Sequence, residues 1–307
     1  MPVPSPAERP GRPEVLRAVF GATFLVRFAF GLSLSVFASY LSGSSVGIDP
    51  AAVGTVGIVA SLAPVGEFST VLLSGGLSDR VGRYPILVGA IGIAALIMLG
   101  ISLSRDAVWL GALSFGFGVT SGAILTASLA VVGDEAGALE RGYEMGRFDA
   151  VNLLGWILGF AVGFGLLGSV ANADLGGLFL LAAAVLGGGF VYSNRALRRG
   201  TERSAGARGL SALALLRTVF RREILLVTLP WFVIYLLLGT LFVFLGSAAT
   251  GVGVSAEVLA LAIGIGGLLL LLTQPYFGRL SDRYGPMRLM TVGTIGFVGV
   301  LTGAALL

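Results

Sequence analysis

The sequence predicts an all-α polytopic membrane protein, and three features predict it. Apolar residues make up 56% of the 307 and charged residues only 12%, where a soluble domain carries about 25% charged residues. The apolar residues gather into nine stretches, each close to the ~20 residues that cross ~30 Å of hydrocarbon at ~1.5 Å per residue. An eight-residue motif occurs twice, at 75–82 and 278–285, which is the mark of a duplicated bundle. Glycine, at 48 residues without a three-residue period, fits close helix packing in lipid.

The first stretch, 16–41, exceeds the apolar core of a signal peptide and is followed by further spans, so it is read as a retained helix. The second, 51–74, follows Asp49-Pro50, an N-cap residue and a proline suited to the first helical position. The third and fourth cover 84–104 and 107–132. The fifth, 147–170, carries Gly155, Gly159 and Gly163 at four-residue spacing, which lets two helix backbones approach closely. The sixth, 174–193, closes a first half spanning 1–193. An Arg-rich linker, 194–222, begins with a flexible polar run and ends in LSALALLRTVFRR, a candidate interfacial helix. Stretches at 223–249, 256–276 and 286–307 begin a second half, 223–307. The 203-residue motif offset carries Ser193 to position 396 and pairs Leu307 with Ser104. The expectation is therefore a twelve-helix bundle of which nine helices lie in this sequence.

All 20 basic residues are arginines, and their placement orients the chain. With the N-terminus in the cytoplasm, Arg9, Arg12 and Arg17 lie inside, as do Arg80 and Arg83, then Arg141 and Arg147. Eight more fall in the linker region and three around the last turn, giving 18 inside, with Arg105 outside and Arg27 within a helix. The positive-inside rule explains the pI of 9.8 without a nucleic-acid partner. The absence of His and Cys excludes disulfides, thiolate nucleophiles and imidazole-based zinc sites or triads. No phosphate-binding loop is present, and no cofactor or metal is expected.

The motif copies read GGLSDRVG and GRLSDRYG, identical at six of eight positions. With Arg83 following, the first copy resembles the loop signature G-x-L-[AS]-D-R-x-G-R of the major facilitator superfamily of secondary transporters. The all-Arg basic usage suggests a GC-rich prokaryotic genome and hence a multi-pass protein of the cell membrane, while the resemblance implies two six-helix repeats and a loop that acts as a conformational latch. It assigns that latch to Gly75, Leu77, Asp79, Arg80, Gly82 and Arg83, with Asp134 as the acidic partner ending the fourth helix and Arg141 after it. In the second copy Gly278, Asp282, Arg283 and Gly285 match, with Pro286 where the final Arg would stand. The carboxylate at the motif's centre suits the positive end of a facing helix, and the guanidinium suits a carboxylate. The fourth helix keeps Gly116 and Gly118 of a family pattern but has Ala112 and Phe115 in its polar positions.

Arg27 and Glu67 lie at similar depth, about 15 Å and about 12 Å into adjacent spans. A charge there is expensive and must face the bundle interior, so the two are candidates for an ion pair or for sites of substrate or proton binding. Tyr235, Asn152 and Gln274 are further polar candidates. The expected function is transport of a small solute by alternating access, with protons as a candidate coupling ion, by a monomer in the lipid bilayer and without enzymatic chemistry. The alternative is a non-transporting truncated or receptor-like membrane protein.

Overall fold

The computed structural model describes residues 13–42, 46, 53–136, 140–167, 175–197, 221–222 and 256–305. Among them the regular structure is helical: α1 (Pro13–Ser42), α2 (Val53–Val81), α3 (Arg83–Leu103), α4 (Ala107–Glu135), α5 (Arg141–Leu167), α6 (Leu175–Leu197), α7 (Ala256–Tyr284) and α8 (Pro286–Ala305). The stretch at 223–249, Asp49-Pro50 and nearly all of the linker lie outside the described residues. Five helices, α1, α3, α4, α5 and α6, are long and apolar enough to cross a membrane on their own. Such helices spend every backbone hydrogen bond internally, the requirement for crossing lipid.

Three helix ends differ from the sequence expectation. α2 runs on to Val81, α7 runs on to Tyr284, and α5 begins at Arg141 instead of at 147. Hydropathy marks only the apolar portion of a helix, whereas polar turns continue the hydrogen-bond ladder past the apolar run. The motif is therefore mostly helix, and its final glycine makes the break. Gly82 and Gly285 adopt φ of 102° and 87°, a conformation that an L side chain resists. Their N–H groups donate to Ser78 O and Ser281 O, closing the last turns. Pro286 then opens α8 at a first helical position, which needs no N–H donor.

α1 is the most enclosed element, with Val19, Ala22, Ala29, Leu32 and Val36 all fully buried. It packs along α5 and α6, while α2 lies along α4, α3 along α6, and α5 along α7. Small residues set these approaches. A Cβ on Gly155 would stand 2.8 Å from Phe24 O, and one on Gly31 would stand 2.6 Å from Trp156 O. Gly159 and Gly163 likewise press on α1, at Phe28 and Ser35. The glycine ladder of α5 is thus a backbone-to-backbone seam. Gly118 and Gly122 form a similar seam against Ala63 and Glu67 of α2. Outward faces are apolar, including Ile93 and Leu96 on α3 and Leu268 to Leu270 on α7, as suits lipid contact.

Candidate functional site

Both motif turns lie at the Arg-rich end of the bundle. Arg83, the first residue of α3, reaches the C-terminal turn of α4, where it forms an ion pair with Asp134 and donates to Ala130 O at 2.8 Å. Cationic donors suit this end of a helix, whose last carbonyls carry partial negative charge. Gly75 lies in open space and Leu77 is exposed. The side chains of Asp79 and Arg80 lie outside what is described, although their backbone belongs to α2. Arg141 is exposed at the start of α5.

The second copy meets the other half of the chain. Asp282 accepts from Gly142 N at 2.8 Å and from Tyr143 N at 3.0 Å. These N–H groups belong to the first turn of α5 and have no partner within that helix, so the carboxylate caps the positive end of α5. The approach depends on glycines at both sides. A Cβ on Gly142 would stand 2.5 Å from Asp282 Oδ1, and one on Gly278 would stand 3.1 Å from Tyr143 Cα. One turn further on, a Cβ on Gly146 would meet Gln274 O at 2.6 Å. Arg279 lies over the Tyr143 ring at 4.2 Å. Together with Glu140 and Arg283 these residues line a charged cleft between α5 and α7.

The second candidate region is at mid-bundle. Arg27 is buried and donates to Ser121 Oγ on α4 at 3.3 Å. Its guanidinium lies 3.9 Å from Glu67 Oε1 on α2 and over the rings of Phe30 and Trp156, at 5.5 Å and 5.8 Å. The Glu67 side chain is 32% exposed, so this is a loose pair, open on the carboxylate side. It opens on a cavity lined by Phe30, Leu34, Phe37, Phe117, Trp156 and Phe179, with Ser33 and Ser114 as its other polar groups. The arrangement offers an apolar, aromatic space with one accessible carboxylate at its edge. Among the described residues, no group of three or more acidic side chains converges as a metal site would require.

Tyr235 lies outside the described residues. Asp149 was not singled out by sequence reasoning. It sits two turns inside α5, whereas the hydropathy boundary at 147 made it look like a loop-end charge. The signal that could have found it is the i, i+3, i+7 spacing of Asp149, Asn152 and Trp156.

Comparison with known proteins gives a consistent picture. Over 281 residues the chain is 27% identical to the multi-drug resistance efflux pump PmrA homolog of Lactococcus lactis, covering 89% of this chain and 67% of that protein. It is 27% identical over 192 residues to the multidrug resistance protein MdtG of Escherichia coli, and 26% over 197 residues to that of Erwinia billingiae. Those alignments cover 61% and 63% of this chain and 45% and 46% of the relatives, so the chain spans under half the length of the MdtG proteins it matches. In fold it is similar to the human organic anion transporter MFSD10 (TETRAN), with a TM-score of 0.64 and 22% identity over 88% of this chain and 73% of that one. The family model described as Major Facilitator Superfamily matches residues 19–307, and the chain, a multi-pass membrane protein, belongs to that superfamily.

Proposed function

We propose that this chain carries out secondary transport of a small solute by alternating access, with the Arg27–Glu67 pair as its coupling site and protons as the coupling ion. The observation that carries the reading is the position of that pair. It is held at mid-bundle on α1 and α2, and it opens on an aromatic cavity while Arg27 stays buried. A carboxylate that exchanges between a fixed guanidinium and an incoming cation or proton can couple the two by competition, because each occupant displaces the other. The solute suited to the cavity is an amphipathic, drug-like molecule, since the lining supplies rings and few hydrogen-bonding groups. Two named multidrug relatives support that class.

The motif turns form the latch of this transporter. Arg83 on Asp134 ties α3 to α4 within one half, and Asp282 on the α5 N-terminus ties the two halves together at the Arg-rich end. The arginine distribution supports a cytoplasmic position for that end and for the N-terminus. Reporter fusions after Arg83 or Arg147 are expected to read cytoplasmic, and a fusion at Gly47 to read external.

The direct test uses proteoliposomes containing the purified chain and the fluorescent lipophilic cation ethidium. An imposed proton gradient should drive ethidium accumulation, and Glu67→Gln should abolish the gradient-driven component. A folded protein that never moves ethidium or any anionic or neutral drug-like probe would favour the non-transporting alternative.

A further inference from the structure

The contact between α5 and α7 converges on one residue, Tyr143. Its N–H donates to Asp282 at 3.0 Å, and a Cβ on Gly278 would stand 3.1 Å from its Cα. Its ring carries the guanidinium of Arg279 at 4.2 Å, well inside the ~6 Å over which a cation is attracted to an aromatic face. Arg279 stands three residues before Asp282, so one face of α7 presents both groups. α7 therefore grips Tyr143 twice, by its backbone and by its ring. Arg283, the other arginine of the motif copy, lies over Tyr284 of its own helix at 5.4 Å.

The ring is held from the α5 side as well. Arg147, one turn on, lies over Tyr143 at 5.7 Å and over Phe20 of α1 at 5.3 Å. Glu144 fixes that arginine, with its two oxygens 3.0 Å and 3.1 Å from Nη1. The Glu144 charge is also what permits the arrangement, because two guanidiniums at one ring repel unless one of them is neutralised. Phe20 is buried beside Phe148, with ring centroids 6.3 Å apart, and precedes Arg27 by two turns on the same face of α1. A continuous stack thus runs from Arg279 through Tyr143 and Arg147 to the helix that carries Arg27.

The two motif copies differ at this point. Arg279 corresponds to Gly76 of the first copy, at one of the two mismatched positions. The first copy has no side chain there, so a grip on a ring belongs to the second copy alone.

We propose that Tyr143 is a positioning residue of the latch: its ring, set by Arg147, receives Arg279 and favours closure of the Arg-rich end, independently of the Asp282 cap. The proposal rests on reading the motif turns as a latch. A partly exposed pair of this kind shifts an equilibrium about two- to fivefold. Without the ring, Arg279 returns to water and the cap alone holds the two halves.

The test uses the full chain in membranes, with Glu140→Cys and Arg283→Cys on the walls of the cleft and a short bismaleimide to read closure. Tyr143→Leu and Arg279→Gln should each slow crosslinking about two- to fivefold, and the two together no further than either alone. Tyr143→Phe and Tyr143→Trp keep an aromatic face and should retain the rate, a response that separates a ring grip from loss of packing. Glu144→Gln leaves both guanidiniums uncompensated at one ring, so it should slow crosslinking with Arg279 present and lose that effect with Arg279→Gln. Arg279 is exposed, so its substitution does not threaten folding. An unchanged rate in Arg279→Gln, additive losses in the double variant, or Tyr143→Phe reacting as slowly as Tyr143→Leu would each overturn the proposal. Asp282→Ala in the same background separates the two readings. If it slows crosslinking while Arg279→Gln does not, the latch stands without the ring grip; if neither slows it, the latch reading falls as well.

Discussion

Removing the Asp282 carboxylate should open the Arg-rich end of the bundle. In the closed arrangement this side chain accepts two hydrogen bonds, at 2.8 Å and 3.0 Å, from first-turn N–H groups of α5. A hydrogen bond to a charged group is worth about 1.5–3 kcal/mol when shielded. Asp282 is exposed, and water can take over the freed N–H groups, so about 1 kcal/mol per bond is the appropriate scale. Asp282→Ala should therefore disfavour closure by about 2 kcal/mol, a roughly 30-fold change in the open-to-closed ratio. Asp282→Asn should be nearly as damaging. Its single carbonyl oxygen can serve one N–H, while its amide NH2 is turned toward the other.

The assay is crosslinking across the cleft. Glu140→Cys and Arg283→Cys place one thiol on each wall, in a chain with no native cysteine. A short bismaleimide should join them readily, and adding Asp282→Ala should lower the fraction joined as the open population grows. Thermal unfolding in detergent guards against a trivial cause, since the added substitution should leave the midpoint of each half nearly unchanged. If crosslinking proceeds equally with and without Asp282, in a protein that remains folded, then the capping bonds do not hold the two halves together and the latch assignment for the second motif copy is wrong.

Other perturbations probe the remaining contacts. Glu67→Gln should destabilise the protein by about 1–2 kcal/mol, below the 3–5 kcal/mol of a fully buried pair, because Glu67 is 32% exposed and 3.9 Å from Arg27. A thermal-unfolding cycle with Arg27→Met measures the coupling, and strictly additive losses would contradict a direct pairing. Gly159→Val should prevent folded expression, since Cβ would already stand 2.8 Å from Leu32 N on the backbone of α1; a well-folded variant would disprove the tight seam. Gly82→Ala should cost about 1–2 kcal/mol through its φ of 102°, read as a lowered unfolding midpoint, whereas Gly75→Ala, which meets open space, should be close to neutral.

Much of this protein was legible in the sequence because bilayer crossing is a local property. A run of apolar residues long enough to span lipid identifies a helix without reference to its neighbours, and eight of the nine expected stretches coincide with described helices. Repetition of a short motif is also a one-dimensional fact, and it pointed to a duplicated bundle before any packing was known. The glycine spacing on α5 announced a close seam, although the identity of its partner, α1, depends on how the helices are arranged in space. The similar depths of Arg27 and Glu67 followed from counting residues at a fixed rise. Their separation of 3.9 Å, with Ser121 and Trp156 beside the guanidinium, depends on the rotation of four helices about their own axes. Asp282 illustrates the same limit. Its chemistry suited a helix N-terminus, but the choice of α5 required two halves of the chain to meet at Gly142 and Gly278. Asp149 stayed hidden because hydropathy placed the start of α5 six residues late. Starting at Arg141 moves this carboxylate about 12 Å into the helix, because a polar first turn that hydropathy does not count still extends the hydrogen-bond ladder.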